Sequence, residues 1–523
     1  MTEYNRKDSK QEYNEYMIRK YEGNIKDGNL EICDLDRGDP EVTNYKFLEK
    51  LNIKALKICI KNGLSVKLRN DMIKELTIRN VMDEQQQLIF YVNDLELENL
   101  EVLDLEDNNL ENDQLYNLAK FKKLRTLYIS NNNVDLTNIY MVTSLYKLQM
   151  RYCDLKNIDQ ISSLVNLEDL DLTSNLLENQ QLNNIYKIKK LHTLDISENH
   201  VDLIHIHRIL SLTKLSMREC GLQDIDQISS LVNLKELDLG GNVCIDLSQL
   251  CKVKSLTKLY VNNCGLKNID QIKQLTNLEV LDVSFNLLKD IDSIGLLIQL
   301  KELNISFNNN IDITPLKYLF GLLILTMNCC GLQQLSALQL LINLQTLNIS
   351  NNSNINITML QYLKNLTHLN LLRCNLVSIY VLRPLVNLEE LRIANNKIVY
   401  LDANLNKMKK LEKLSVKDNL ISNFLSLEQH QYLNNINEYG FRSFNIQDQQ
   451  IASEYELHYA NQMRLIENTN FQLQEIQNKR KRFQTVLNEC KKQINAVLNC
   501  HDHIQFSTSV AHLFEMLNNP VSM

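Results

Sequence analysis

Leu278-Glu-Val-Leu281-Asp-Val283-Ser-Phe-Asn286 decides how this chain is read. Apolar and polar residues alternate with a period of two, the pattern of a short strand with one side in a core and the other outward. Leu281 and Val283 are expected inside, and Val280, Asp282 and Ser284 outside. The stretch is one copy of a longer pattern, Leu-x-x-Leu-x-Leu-x-x-(Asn/Cys)-x-Leu, which recurs fifteen times between Leu100 and Ile421. The first leucines are Leu100, Leu124, Leu145, Leu167, Leu191, Leu212, Leu234, Leu256, Leu278, Leu300, Leu322, Leu344, Leu366, Leu388 and Leu411. Their steps are 24, 21, 22, 24 and 21 as far as Leu212, then 22 as far as Leu388, and 23 to Leu411. A period this short cannot close a core by itself, so each repeat must bury its apolar side against its neighbours.

Strands stacked in this way add in parallel, about 4.8 Å apart, into an inner sheet roughly 70 Å long along its arc. In the rest of the repeat, as in Leu266-Lys-Asn-Ile269-Asp-Gln-Ile272-Lys-Gln-Leu275, apolar residues fall at every third position. That spacing suits 3₁₀ turns or a short helix. An outer layer wider than a strand bends the stack with the sheet inside. The expected fold is therefore an α/β solenoid: parallel strands on a concave face, 3₁₀ turns and short helices on a convex one, and helical caps.

The slot that ends each strand holds Asn in ten repeats and Cys in five, at Cys153, Cys220, Cys264, Cys330 and Cys374. A buried side chain there must satisfy backbone groups left unpaired by the turn. An amide does so well, and a reduced thiol tolerates burial while donating weakly. These five of the twelve cysteines are read as structural and reduced.

The LxxLxLxxN core followed by an L-x-x-I-x-x-I/L-x-x-L run resembles the 22-residue class of leucine-rich repeats. That class includes the nuclear regulator of protein phosphatase 1 and bacterial internalins. The layout of the whole chain resembles protist families of leucine-rich repeat proteins with a helical tail. The resemblance covers Leu100 to Ile421. It implies a protein-binding scaffold, because such repeats carry unrelated partners on one frame. An alternative it implies is a regulatory subunit of an enzyme such as a protein phosphatase.

Residues 100–166 and 167–233 align without a gap. LQMRYCDLKNIDQISSLVN (148–166) answers LSMRECGLQDIDQISSLVN (215–233), with Arg151 matching Arg218 and Cys153 matching Cys220. A three-repeat unit has been duplicated in tandem. Residues 1–99 read as a helical cap over 10–26 followed by degenerate repeats around Ile53 and Ile73. Residues 422–523 read as a helical tail. In that tail Phe483, Val486, Leu487, Cys490, Ile494, Val497 and Leu498 lie on one side of an amphipathic helix able to pair with a second copy.

Net charge is −7, so no global field draws the chain to nucleic acid or an anionic membrane. The polar opening lacks the apolar stretch of a secretory signal, and no segment is long and apolar enough to span a bilayer. A cytoplasmic location is expected. Lys479-Arg-Lys-Arg482 leaves nuclear import open, beside the reading of a solvated helix face. No cofactor or metal is expected. Phosphate-cradling loops, HExxH and GxGxxG are missing, and the remaining enzymatic reading is a ubiquitin-ligase-like use of Cys500 beside His501, Asp502 and His503.

The candidate binding surface is the row of outward strand residues. An acidic stripe runs through Asp171, Asp195, Asp238 and Asp282, with Tyr260 among them. From His368 the face turns basic, including Arg392. Phe285 and Phe307 hold the same position on adjacent repeats and are expected to stack at the edge of the sheet. They serve there either as an exposed anchor or as a shield for the backbone.

Overall fold

A computed structural model describes residues 25–32, 46–60, 68–80, 91–399, 401, 405, 407–421 and 435–436. The chain divides into two units, Met1–Phe441 and Arg442–Met523, and every described residue belongs to the first. The expected cap helix over 10–26 falls almost wholly outside the described residues. So do the tail helix, the Lys479–Arg482 cluster and the Cys500–His503 cluster.

Among the described residues, 19 strands form one parallel sheet in which each strand pairs with those of the neighbouring repeats. Most strands are three residues long, such as Lys258–Tyr260, Val280–Asp282 and Glu302–Asn304. Registers are strict: Leu259 faces Leu281, and Leu281 faces Leu303. The sheet begins before Leu100, because Asn29–Ile32, Ala55–Ile60 and Glu75–Asn80 join it in parallel order. A separate pair, Leu68–Arg69 with Leu95–Glu96, lies in a second small sheet.

The outer layer consists mainly of 3₁₀ turns, among them Asp159–Ser163, Asp226–Ser230, Asp270–Gln274 and Thr314–Tyr318. One turn is α-helical, Asp292–Gly295. Every third residue points inward in a 3₁₀ turn, and the sequence has this spacing. Ile158, Ile161, Leu164 and Leu167 are each fully buried. With the strand leucines they form one continuous core running the length of the unit.

The slot residues tie the rungs together. Asn175 donates through Nδ2 to the carbonyls of Met150, Leu172 and Thr173, at 2.6, 2.8 and 3.2 Å. Its Oδ1 accepts from the N–H groups of Cys153 and Leu155, at 2.9 and 3.3 Å. Cys153 in turn donates through Sγ to the carbonyls of Ile129 and Arg151, at 3.5 and 3.4 Å. A thiol can reproduce the donor half of the amide but has only a weak acceptor to offer the preceding rung. This explains why each Cys slot is followed by an Asn, and why no two Cys slots are adjacent. Burial pushes the thiols up, to about 12 for Cys220 and about 11 for Cys153, Cys264, Cys330 and Cys374. All five are unpaired. Cys59, by contrast, is disulfide-bonded, so the reduced-cysteine reading applies to the ladder and not to every cysteine.

A second ladder, not anticipated from the sequence, runs along the edge where the strands begin. Asn166, Asn233, Asn277, Asn343, Asn365 and Asn387 each donate from Nδ2 to a carbonyl of the preceding repeat, at 2.9–3.1 Å. The residue just after the first-ladder strands, one before each slot, has positive φ throughout, from 50s at Asp107 and Asn131 to 77° at Gly241. In that conformation its N–H reaches across to the next rung: Phe285 to Ser306, Phe307 to Asn328, Cys329 to Ser350.

Candidate functional site

The outward central position of each strand carries most of the acidic stripe, and the structure gives these groups a local task. Asp171 Oδ1 accepts from the N–H and hydroxyl of Thr173, at 3.1 and 2.7 Å. Asp195 does the same with Ser197, at 3.0 and 2.6 Å. Asp238 accepts from Gly240 N–H at 2.9 Å, and Asp282 from Ser284 N–H at 2.8 Å. Asn304 and Asn348 make the equivalent bond. A short acceptor that bonds the N–H two residues on bends the chain into its turn. The acidic stripe is thus partly a row of turn-forming residues. The Asp or Asn followed two residues later by Ser, Thr or Gly was the signal for it.

Much of the stripe is also neutralised. Arg151 Nε lies 2.6 Å from Asp171 Oδ2, and Arg218 Nη1 lies 3.2 Å from Asp238 Oδ2. Lys147 meets Asp169 at 2.8 Å, and Lys214 meets Glu236 at 2.7 Å. The second member of each comparison is the first displaced by 67 residues (218 − 151 = 67; 238 − 171 = 67), so the duplication copied the basic side chains, and their acidic partners recur at the same spacing as far as the rung that follows it. Asp171 is 7% exposed and unavailable to a partner in this arrangement. Ser284, expected outward, is likewise buried, at 3%.

The pairing thins out after Lys258, whose partner is Glu236 at 3.4 Å. Among the described residues, neither Asp282 nor Glu302 has a cation within ion-pair distance. Asp282 Oδ2 accepts only the amide of Asn304, at 3.0 Å. On the same face Val280 and Ile324 are half-buried, and Glu302 is exposed. Tyr260, one rung earlier, is half-buried, and burial pushes its phenol up. At the far end Arg392 is exposed and bonds Glu390, which Lys413 also approaches, at 3.6 Å.

Phe285 and Phe307 stack with ring centroids 4.1 Å apart and planes 12° from parallel. They are 52% and 40% exposed, and both have positive φ, 54° and 57°. The eight named candidates therefore separate. Asp171 and Asp238 belong to ion pairs, and Asp195 lies within the duplicated segment. Tyr260, Asp282, Phe285 and Phe307 gather on neighbouring rungs, and Arg392 lies several rungs away.

A family model for leucine-rich repeats in two copies matches residues 254–296 and 276–318. An internalin from Listeria monocytogenes is 26% identical over 58% of this chain and 89% of its own, with a TM-score of 0.51. The chain is a leucine-rich repeat protein. A leucine-rich repeat protein of Leptospira interrogans is 20% identical over 78% of this chain and 94% of its own, at a TM-score of 0.46. The ectodomain of a membrane receptor kinase from Arabidopsis thaliana, in complex with Casparian strip integrity factor 2, is 18% identical. It covers 73% of this chain and 58% of its own, at 0.36. No curated protein matches the sequence. Leucine-rich repeat proteins generally mediate protein–protein interaction, and their fold is typically a non-enzymatic scaffold. Among the described residues, no helix is long and apolar enough to cross a membrane. Nor, among them, are three or more His, Cys, Asp or Glu side chains placed to share a metal ion.

Proposed function

We propose that this leucine-rich repeat protein is a non-enzymatic scaffold that holds a partner protein against the concave side of its sheet. The observation that carries this reading is the change along the outward face at Val280. Before it, charged side chains are mostly matched across rungs, Asp195 excepted. From Val280 to Thr346 the row runs Val280, Glu302, Ile324 and Thr346, free of ion pairs among the described residues and mixing apolar with polar groups. Interfaces concentrate apolar groups at their centre and keep charge at the rim. An exposed, unpaired thiol at Cys244 supports a reducing, intracellular setting, from which the disulfide-bonded Cys59 departs.

The test is capture of a partner by the full chain in three forms: wild type, Ile324→Lys with Thr346→Arg, and the outer-side control Lys273→Glu. The concave variant is expected to lose the partner at an unchanged unfolding midpoint, and the control to keep it. Loss in the control with retention in the concave variant would place binding elsewhere and defeat the reading.

A further inference from the structure

The position one residue before each slot must adopt positive φ so that its N–H can reach the next rung. Asn and Gly take this conformation readily, while bulky side chains are disfavoured there. The preference is met by Asp107, Asn131, Ser174, Gly241, Asn263, Asn351, Asn395 and Asp418, while Tyr152, Glu198, Glu219 and Arg373 depart from it on single rungs or on one adjacent pair. Phe285, Phe307 and Cys329 depart from it on three consecutive rungs, the longest such run, at φ values of 54°, 57° and 55°. Backbone packing does not call for aromatic rings here. The ladder bond is made by the N–H, and both rings are about half exposed, as is Leu287, two residues after Phe285. Strained residues held against local preference point to a task outside the fold.

The chemistry around this ridge selects its occupant. Asp282 and Glu302 belong to the two repeats that carry the phenylalanines, and among the described residues neither has a cation within ion-pair distance. Lys258 and Lys301, the nearby lysines, are taken by Glu236 and Glu279. We infer that the Phe285–Phe307 ridge seats a linear, basic segment of a partner protein. An apolar side chain of the segment lies on the two rings, and its Lys or Arg side chains meet Asp282 and Glu302. Two rung steps of about 4.8 Å take the ridge from Phe285 to Cys329. That length matches about three residues of extended chain at roughly 3.3 Å each, so a single anchor and its neighbours fill it. This inference rests on the scaffold reading above and narrows it to one class of partner.

The experiment exposes the full chain to arrayed short synthetic peptides that vary in Lys/Arg content and in one Leu, Phe, Trp or Glu position. Wild type is expected to select peptides combining basic residues with an apolar anchor. Phe285→Asn with Phe307→Asn, which places a favoured residue at positive φ and so preserves folding, is expected to bind them at least 10-fold more weakly. Asp282→Asn with Glu302→Gln should weaken binding and flatten its dependence on salt. Selection of acidic peptides, no selection at all, or affinity unchanged in both variants would overturn the inference. If peptides fail while the Ile324→Lys, Thr346→Arg protein still loses its captured partner, the scaffold reading stands and only the basic-segment inference falls. If that concave variant also keeps its partner, both fall.

Discussion

The backbone N–H of Cys153 donates to Oδ1 of Asn175 at 2.9 Å, so the thiol slot depends on the amide of the next rung for an acceptor. Asn175→Ala leaves the carbonyl of Met150 and the N–H groups of Cys153 and Leu155, all on the preceding rung, without their partner. It should cost about 3 kcal/mol or more in equilibrium unfolding, given about 1–3 kcal/mol for each buried group left unsatisfied. Asn175→Cys retains donors but removes the acceptor, and should cost about 1–2 kcal/mol by the same reasoning. Cys153→Asn should be neutral or stabilising. A destabilising Cys153→Asn with a harmless Asn175→Cys would contradict the account of why Cys slots stay apart.

Arg151–Asp171 and Arg218–Asp238 are equivalent interactions 67 residues apart, with different burial. The Asp171 side chain is 9% exposed and that of Asp238 22%, and the contact lengthens from 2.6 to 3.2 Å. Both guanidinium groups are partly exposed, which limits their contribution. Arg151→Ala should cost about 1–2 kcal/mol because it strands a buried carboxylate, and Arg218→Ala less than about 1 kcal/mol. Double-mutant cycles with Asp171→Asn and Asp238→Asn measure the two couplings. A larger coupling at the second site would reverse the argument from burial.

The period of the solenoid, the inward leucines, the 3₁₀ layer and the alternation of Asn with Cys were legible because each follows from one side chain meeting one backbone need. The matching of Arg151 with Asp171 was not legible, because it joins residues 20 apart whose contact depends on how the rungs align. The same holds for Asp282, which reads as a member of a uniform stripe until its neighbours' cations are placed. Positive φ at Phe285 was hidden for a different reason. Asn, Asp and Gly signal it at that position in seven of the other repeats, but the phenylalanines, like Tyr152, Glu198, Glu219 and Arg373, carry no such preference. The mismatch becomes visible only when repeats known to share one conformation are compared.

Glu236 and Asp238 stand two residues apart on one strand, Glu236–Asp238, and are pushed in opposite directions. Burial alone would raise Glu236, but bonding to Lys214 and the charges of Lys214 and Lys258 outweigh it and hold it below its ordinary 4.5. For Asp238 burial prevails over the Gly240 N–H and Arg218, and holds it above its ordinary 3.8. A depressed carboxyl stabilises the fold above its unfolded value, and that contribution is lost as pH falls through the folded one. A raised carboxyl favours the fold at low pH, and its contribution is lost as pH rises through the folded value. Relative to wild type, Glu236→Gln should therefore lose stability as pH climbs from about 3 to 6, while Asp238→Asn gains. Each amplitude should be about 1 kcal/mol or less at these partly exposed sites. Parallel slopes for the two variants in urea titrations across that range would contradict the assignment.

Thiol chemistry can report on the solenoid without any substitution. Cys244 is exposed, while Cys153, Cys220, Cys264, Cys330 and Cys374 are buried, with burial pushing them to about 11 or 12. Alkylation depends on both access and thiolate, so at mildly alkaline pH Cys244 should label within the native protein and the five ladder thiols should wait for local opening. A solenoid holds each rung mainly through its two neighbours, so opening begins at the ends and reaches the middle last. Cys374, whose rung lies two before that of Lys413–Ser415, should accordingly label sooner than Cys264, which has many described rungs on either side. Peptide-resolved mass spectrometry over a time course measures this order directly. Simultaneous labelling of all five would mean that the described sheet opens as one cooperative block, and labelling of Cys264 first would place the weakest interface in its centre, next to the rungs of Tyr260 and Phe285.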